Sequence, residues 1–352
     1  MGIVVACVGG ASGASLVLRQ CKLPLGLLAP ASISEEPVRM LPAKSNAAKN
    51  AAQIWRLRRE QSIDFIGLRL PPVDISVLLR KSSHERTTVP MDIEQATRQL
   101  SEVGYVIFRD VVSKSDLAVL QRTIVDKFVA AKSSGGMFDG GGNISGHVNC
   151  FPGKEARFAY DQVDDYGIVK LVKALAPGLI GSVRVNCNLN LPQSVAQHYH
   201  IDGYFTEEFL ICNVATVDTD VENGAIDVLP GTNQQFYKFW QYALQRKYRL
   251  TTRVPLQQGD VLLRKSTLWH RGMPNKTEHP RPMLGITFGE SSAPQGDPFA
   301  ENDGDISFTP NWYNTDRLGQ IRESAFVKMP MLYSSYRFAR SLYGNKGYSG
   351  WK

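Results

Sequence analysis

Two histidines and one aspartate have the residue types and the spacing of a metal site. His200 and Asp202 stand two residues apart in QHYHIDGYF (197–205), and His270 follows about 70 residues after His200. Because alternate side chains of a strand project from one face, His200 and Asp202 point the same way if this segment is a strand. Two imidazoles and one carboxylate are the ligands of a site that holds Fe(II) on one face and leaves other positions open. His198 shares that face but begins no second H-x-D, which favours a place behind the ligands or in the core.

Two further segments frame the distal histidine. Asn223–Gly224 predicts a turn, and PGT predicts a second turn after a short strand. Gly259–Asp260 turns the chain into a strand that leads to His270, and Arg281 opens the next strand eleven residues later. A guanidinium there can bind a carboxylate through two parallel hydrogen bonds, although an arginine at a strand start is more often a surface charge. His279, in the turn between them, is expected to lie in solvent.

The order of these motifs is far more specific than any one of them. The chain carries H-x-D, then N-G-x5-P-G-T, then G-D-V-x8-H-x-G, then Arg281. In this order it resembles the phytanoyl-CoA dioxygenase family over about residues 91–290, including the entry GYVIFRDVVSKSDLAVL. The resemblance implies a mainly β domain with flanking helices, folded as a double-stranded β-helix of cupin-like jelly-roll topology. It also implies iron ligands at His200, Asp202 and His270, with 2-oxoglutarate bound by Arg281.

The activity implied by the resemblance is that of an Fe(II)- and 2-oxoglutarate-dependent oxygenase. Such an enzyme consumes O2 and gives succinate and CO2, and ascorbate is able to support its activity. The default reaction is hydroxylation of an unactivated C–H bond in a small metabolite, and the alternative is an oxidative cyclase or desaturase of natural-product biosynthesis, as among the kainoid synthases. A cupin isomerase, which would not need Arg281, and a jelly-roll binding domain without catalysis are less favoured. Asp202 fills the position that is Gly or Ala in related halogenases, which argues against halogenation.

Asparagines of one predicted strand are candidates for contact with the cosubstrate. The run VNCNLNLP places Asn186, Asn188 and Asn190 on the same face. Buried amides need hydrogen-bond partners, and the resemblance puts a polar side chain near here against the C1 carboxylate or the keto group of 2-oxoglutarate. Asn188 and Asn190 are therefore the candidates. The chain has Asn190-Leu-Pro-Gln where the family often has Lys-Pro-Pro-Gly, and Gly272 where many members have Ser.

Candidate substrate contacts come from residues beside the predicted ligands. Tyr204 shares the strand face of the H-x-D ligands, where an aromatic wall would keep water from a reactive centre. Arg264 and Arg271 lie on the segment that carries the distal histidine, and they would favour an anionic substrate if they faced inward. The aromatic residues expected to point away from the ligands are Tyr199, Phe205 and Trp269.

The chain is predicted to have three parts. Residues 1–34 contain no acidic residue and only two basic ones, which is typical either of an organelle transit peptide or of a disordered tail. Residues 35–90 are expected to be an N-terminal extension, and residues 91–352 to form the dioxygenase domain.

Within that domain, helices are predicted before the strands. Asp92 can cap a helix that ends at Gly104, and a strand and a second helix follow. Residues 133–146 are too rich in glycine for regular structure and are predicted to be a mobile loop or lid. After Pro177, short β-runs alternate with turns, including one over 196–205, as in an antiparallel sandwich or barrel. Helices are predicted again from Arg317 onward.

The composition indicates which kind of binding partner and which cellular compartment to expect. The 352 residues are 43% hydrophobic and 21% charged, as in ordinary globular proteins, with a net charge of +7. Lysine and arginine are scattered without a basic run or interleaved aromatic residues, so a small-molecule partner is predicted and nucleic acid is not. Five widely spaced cysteines form no C-x-x-C pair, which favours free thiols in an intracellular compartment, cytoplasmic or organellar. No apolar run approaches the roughly 18 residues of a membrane span, and the sequence leaves the oligomeric state open.

Overall fold

The structure, a computed structural model, describes residues 92–290, 296–311 and 313–343. The predicted leader (1–34) and N-terminal extension (35–90) lie outside the described residues. The helices, in chain order, are α1 (Ile93–Val103), α2 (Lys114–Ser133), α3 (Arg157–Asp165), α4 (Ile168–Leu175), α5 (Phe239–Leu244), α6 (Arg317–Lys328) and α7 (Pro330–Leu342). The strands are β1 (Tyr105–Phe108), β2 (His147–Phe151), β3 (Val183–Asn190), β4 (Leu210–Ala215), β5 (Ile226–Val228), β6 (Thr252–Val254), β7 (Val261–Lys265), β8 (His270–Arg271), β9 (Arg281–Phe288) and β10 (Ser307–Thr309).

Side-chain caps define the first helices where the sequence predicts them. The Asp92 carboxylate accepts a hydrogen bond of 2.9 Å from the Gln95 backbone N–H and so caps α1. Gly104 ends α1 with a φ of 87°, a left-handed conformation that glycine adopts without strain. The Ser113 hydroxyl accepts a hydrogen bond from the Asp116 backbone N–H and caps α2. The predicted cap at Asp92, the end of α1 at Gly104 and the second helix are confirmed.

The strands form two antiparallel sheets in the described part of the chain. The larger sheet has the order β1-β7-β4-β9-β3-β2-β10, and the smaller has the order β6-β5-β8. In the larger sheet Cys150, Cys187, Leu284 and Val214 are partners across four neighbouring strands, and all four are buried in the core that packs against α1–α4. The neighbouring residue on each of these strands points its side chain to the opposite face of the sheet.

That opposite face of the larger sheet lines a cavity together with the smaller sheet. Asn149, Asn188 and Met283, which are partners across β2, β3 and β9, line it from one side. Ile226 of β5 and His270 of β8 line it from the other side. Two antiparallel sheets around a shared interior, with helices on the outer face, form the predicted double-stranded β-helix.

A buried glutamate ties the glycine-rich loop to the C-terminal helices. Glu323 of α6 is fully buried, and its carboxylate accepts hydrogen bonds from the backbone N–H of Gly142 (3.2 Å) and of Ser145 (2.8 Å). The Ser145 hydroxyl donates a third, also of 2.8 Å. The end of the predicted loop over 133–146 is therefore held in place by a carboxylate. No helix of the described ranges is both long and apolar enough to cross a membrane.

The secondary structure departs from the prediction in several places. The segment 196–205 was expected to be a strand, but it forms only isolated bridges, one of them between His200 and His270. Strands β2 and β10 and helices α3 and α5 were not predicted. The burial pattern of β2 lacks the alternation that identifies a half-exposed strand, because both of its faces are covered.

Candidate active site

The chain brings His200 and His270 together through their backbones. The N–H of His200 donates to the carbonyl of His270 (3.0 Å), and the N–H of His270 donates to the carbonyl of His200 (2.9 Å). The N–H of Asp202 donates to the carbonyl of Ser266 (2.9 Å), and Gly203, at a φ of 64°, then turns the chain away. One ligand atom from each of His200, Asp202 and His270 lies within 4.8 Å of the other two.

Backbone carbonyls fix the orientation of both imidazole rings. His200 Nδ1 lies 2.9 Å from the carbonyl oxygen of His198, and His270 Nδ1 lies 2.9 Å from that of Leu268. Because a carbonyl only accepts, each Nδ1 carries the proton, and each Nε2 keeps its lone pair. These Nε2 atoms lie 3.6 Å (His200) and 3.4 Å (His270) from the oxygens of Asp202.

The charge states of the three groups suit a divalent cation. Burial lowers the pKa of His200, and it lowers the pKa of His270 well below the ordinary value, so both rings are neutral at neutral pH. Burial by itself raises the pKa of Asp202, but His270 and the Arg264 guanidinium outweigh it, and the net pKa lies below the ordinary value. Two neutral imidazoles and one carboxylate are the donor set of a non-haem Fe(II) site, so the residues present fit that metal.

Arg281 lines the same cavity without an acidic partner. Its guanidinium donates to the backbone carbonyls of Asn223 (3.3 Å) and Gly224 (2.9 Å), and only 5% of the residue is exposed. Burial lowers its pKa to about 10, so it remains charged at neutral pH. No carboxylate of the described residues forms an ion pair with it. The predicted Asn-Gly turn thus orients a buried cation that can receive a carboxylate from a ligand.

Arg264 also lines the cavity, and two of its guanidinium nitrogens bind other side chains. Its Nη2 donates to Oδ2 of Asp202 (2.7 Å), and its Nε donates to Oδ1 of Asn213 (2.9 Å). Arg264 therefore contacts a candidate metal ligand, and its contact with substrate stays a prediction. The next residue, Lys265, points to the other face and pairs with Glu208 at 2.9 Å.

Arg271, a predicted substrate contact, is not among the described residues that line the cavity. Its Nε and Nη2 donate to Oδ2 of Asp227 at 3.1 and 3.0 Å. Its guanidinium lies over the ring of Tyr199, 4.2 Å from the centroid. Residues adjacent along a strand face opposite ways, so the cavity-facing position of His270 directs Arg271 outward.

The two candidate asparagines differ in their surroundings. Asn188 lines the cavity, as the resemblance implies for a cosubstrate contact. Asn190 is fully buried, donates to the carbonyl of Met273 (2.9 Å) and accepts from the hydroxyl of Ser194. Both ends of its amide are thus used by the protein, which leaves Asn190 a structural role beside the Asn-Gly turn.

Tyr204 does not occupy the predicted substrate-facing position. It is 40% exposed and is not among the described residues that line the cavity. The prediction assumed strand alternation beyond Asp202, and the turn at Gly203 breaks that alternation. Phe209 lines the cavity instead.

The remaining aromatic residues and histidines near the site lie in the core or in solvent, as the sequence predicts. Trp269 points away from the ligands, buried and stacked on Tyr242 with ring centroids 4.6 Å apart. His198 packs against Phe326 of α6 and Tyr333 of α7, each with ring centroids 5.3 Å away. His279 is exposed. Tyr199 is buried in the same cluster as Trp269, and Phe205 packs against that cluster.

The cavity measures about 630 Å³, within the range of small-molecule sites. Beyond the predicted residues, its polar lining includes Asn149, Asn186, Gln197 and Asn213, and its apolar lining includes Phe209, Ile211, Leu262 and Met283. Strand periodicity already places Asn186 on the same face as Asn188, although the resemblance did not make it a candidate. Asn149 and Asn213 carry no local signal, because their positions depend on the pairing of distant strands.

Comparison with known proteins agrees with this geometry. Residues 100–283, just over half of the chain, match the family model of phytanoyl-CoA dioxygenase (PhyH). Among solved structures, the non-heme alpha ketoglutarate dependent carbocyclase SnoK from nogalamycin biosynthesis is 17% identical, with a TM-score of 0.45 over 62% of this chain and 99% of SnoK. AviO1 from Streptomyces viridochromogenes Tue57 is 17% identical, with a TM-score of 0.42 over 58% of this chain and 98% of AviO1. EvdO2 from Micromonospora carbonacea var. aurantiaca, complexed with 2-oxoglutarate, is 16% identical, with a TM-score of 0.41 over 59% of this chain and 94% of EvdO2.

The family assignment rests on the sequence match and not on these distant structural likenesses. The chain belongs to the phytanoyl-CoA dioxygenase family and is a non-haem iron dioxygenase that uses 2-oxoglutarate.

Proposed function

We propose that His200, Asp202 and His270 hold Fe(II), that Arg281 binds the distal carboxylate of 2-oxoglutarate, and that the enzyme hydroxylates a C–H bond of a small polar metabolite. The observation that carries this proposal is the charge pattern of the cavity. Three arginines line it, and two of them are paired with acids: Arg264 with an oxygen of Asp202, and Arg184 with Glu290 at 3.3 Å. Arg281 is the one without an acidic partner in the described part of the chain.

The chain's own residues would bind and orient the reactants. The iron with its cosubstrate supplies the activation of O2 that no side chain can provide. The Arg281 guanidinium, held by two backbone carbonyls, is preorganised to bind a carboxylate without rearrangement. Asn188, on the same wall, is the proposed contact to the C1 carboxylate or the keto group. Phe209 and Ile211 supply apolar surface that excludes water from the reacting C–H bond.

The substrate side of the cavity favours uncharged polar groups over carboxylates. Asn149 and Asn186 line it with amides that both donate and accept hydrogen bonds. The cationic groups expected to attract an anion are occupied, since Arg264 and Arg271 bind Asp202 and Asp227. We therefore propose hydroxyl or amide groups on the substrate where it faces β2 and β3.

The first experiment tests the enzyme class. Anaerobic addition of Fe(II) and 2-oxoglutarate to the full chain should give a weak visible charge-transfer band. The band should be absent without 2-oxoglutarate and absent from His270→Ala. A wild-type protein that binds Fe(II) but gives no band with 2-oxoglutarate would favour an isomerase or a binding domain.

The second experiment tests the substrate class. Succinate release on adding O2 is measured across a metabolite panel built from matched pairs, each a carboxylic acid and its carboxamide. Stimulation by the uncharged members is the expected result. Stimulation confined to the acids would contradict the proposed polarity and would restore an anionic substrate, such as an amino-acid-like polycarboxylate.

A further inference from the structure

Arg264 is held at two points of its guanidinium, and one of them is a proposed iron ligand. Its Nη2 donates to Oδ2 of Asp202 at 2.7 Å, and its Nε donates to Oδ1 of Asn213 at 2.9 Å. Asn213 lies on β4, which pairs directly with the strand of Arg264, β7. The guanidinium therefore bridges the wall of the larger sheet and the H-x-D segment.

The burial of the Arg264 guanidinium has a cost in folding free energy. The residue is only 5% exposed, and its sole acidic partner among the described residues is Asp202. Its Nη1 is buried and has no hydrogen-bond partner in the part of the chain that the structure describes. Burying a cation and leaving one of its donors unpaired both oppose folding. The hydrogen bonds that the guanidinium makes in the described part of the chain go to Asp202 and Asn213.

The contact makes the two oxygens of Asp202 unequal. Oδ2 already accepts from Arg264 and lies 3.4 Å from His270 Nε2. Oδ1 lies 3.6 Å from His200 Nε2 and accepts no hydrogen bond from the described residues. A guanidinium on one oxygen withdraws electron density from it, so the other oxygen is the better donor to a metal.

We propose that Arg264 is a positioning residue that makes Asp202 a one-oxygen ligand of iron. It holds Oδ2 and presents Oδ1, which keeps the remaining coordination positions available for 2-oxoglutarate and O2. This inference rests on the iron site proposed above. It assigns Arg264 a role in the geometry of the metal ligands and not in substrate binding.

Metal binding tests the inference without the need for a substrate. Arg264→Gln and Arg264→Lys are compared with the wild type by thermal unfolding of the metal-free protein, by anaerobic Fe(II) titration and by the visible spectrum of bound Co(II), which reports coordination. Arg264→Gln should remain folded and bind Fe(II) about 10–100-fold more weakly, the usual effect of losing a residue that orients a metal ligand. Its Co(II) spectrum should change, and Arg264→Lys should recover part of the affinity.

Arg271→Gln is the matched control. It removes a similar arginine–aspartate pair, Arg271 with Asp227 at 3.0 Å, which lies on the opposite side of β8 from the His270 side chain and does not contact Asp202. It should keep the wild-type Fe(II) affinity and Co(II) spectrum even if its unfolding temperature falls.

Two outcomes separate this inference from the proposed function. A wild-type protein that binds neither Fe(II) nor Co(II) would refute the iron site itself. A wild-type protein that binds both, beside a folded Arg264→Gln with unchanged affinity and spectrum, would refute only the role of Arg264. Should Arg264→Gln fail to fold, Asn213→Ala decides, because it removes one support of the guanidinium and keeps its charge. A weaker Fe(II) affinity supports the inference, and an unchanged one overturns it.

Discussion

His200 and His270 exchange a reciprocal pair of backbone hydrogen bonds, 3.0 and 2.9 Å long. Each ring is further fixed by the bond from its Nδ1–H to the carbonyl two residues earlier, 2.9 Å long in both cases. The positions of both Nε2 atoms are thus set by the backbone and not by neighbouring side chains. A site built in this way is preorganised for the metal before the metal binds.

Each proposed ligand should be necessary for iron. His200→Ala, Asp202→Ala and His270→Ala should each remove most tight Fe(II) binding and all turnover, because two remaining donors cannot complete the facial set. Isothermal titration with Fe(II) under anaerobic conditions measures the affinity. His279→Ala, which removes an exposed histidine, should bind iron like the wild type. Wild-type turnover by His270→Ala with added iron would show that the ligand assignment is wrong.

Arg281 should govern the cosubstrate and not the metal. Losing a buried, charge-assisted contact costs about 2–5 kcal/mol, or on the order of tens to thousands-fold in affinity. Arg281→Ala should therefore raise the 2-oxoglutarate concentration required for turnover to that extent while the Fe(II) affinity stays nearly constant. Lys265→Ala is the control, because this lysine pairs with Glu208 at 2.9 Å on the other face of β7. If Lys265→Ala raised the 2-oxoglutarate requirement and Arg281→Ala did not, the cosubstrate carboxylate would have to be assigned to Lys265.

Phe209, and not Tyr204, should control how well oxidation is coupled to cosubstrate use. Phe209 is 6% exposed and lines the cavity, whereas Tyr204 is 40% exposed. Phe209→Leu keeps an apolar side chain but opens space beside the reacting C–H bond, so less product should form per succinate. Tyr204→Ala should leave that ratio unchanged. Succinate and oxidised product are measured in one reaction, with the substrate identified in the metabolite panel. If only Tyr204→Ala lowered the amount of product per succinate, Tyr204 and not Phe209 would be the substrate-facing residue.

The parts of this fold that local chemistry determines could be predicted from the sequence. Asp92 and Gly104 define the ends of α1 because a cap and a left-handed glycine act within one turn of the chain. The grouping of His200, Asp202 and His270 could be predicted because H-x-D and a distal histidine occur in a fixed order. Strand β2 could not be predicted, because burial on both faces removes the alternation that identifies a strand.

The direction of the charged side chains near the site could not be predicted either. Arg264 and Arg271 both lie on the segment that carries the distal histidine, and the sequence does not distinguish their roles. Their partners, Asp202 and Asp227, come from other segments of the chain, so the difference between them exists only after these segments come together in the fold. Tyr204 was misplaced because strand alternation was extended past Gly203, although the dipeptide Asp202–Gly203 is a sequence signal for a turn.

The N-terminal leader should take no part in catalysis. Residues 1–34 contain no acidic residue and none of the motifs that form the site. Deleting them should leave the specific activity within about twofold, because the proposed metal ligands and cosubstrate contacts all lie after residue 187. Activity is compared between the full chain and the truncated chain at equal iron content. A folded but inactive truncation would mean that this segment contributes to the site.

The carboxylate of Glu323 has a consequence for how the protein is made. Glu323 follows Ser145 by 178 residues, so a ribosome adds every segment that carries a proposed ligand before it adds this glutamate. Until then the backbone N–H groups of Gly142 and Ser145 lack the acceptor that they have in the folded protein. While these 178 of the 352 residues are added, the glycine-rich segment of the nascent chain is without its carboxylate anchor and open to chaperones and proteases.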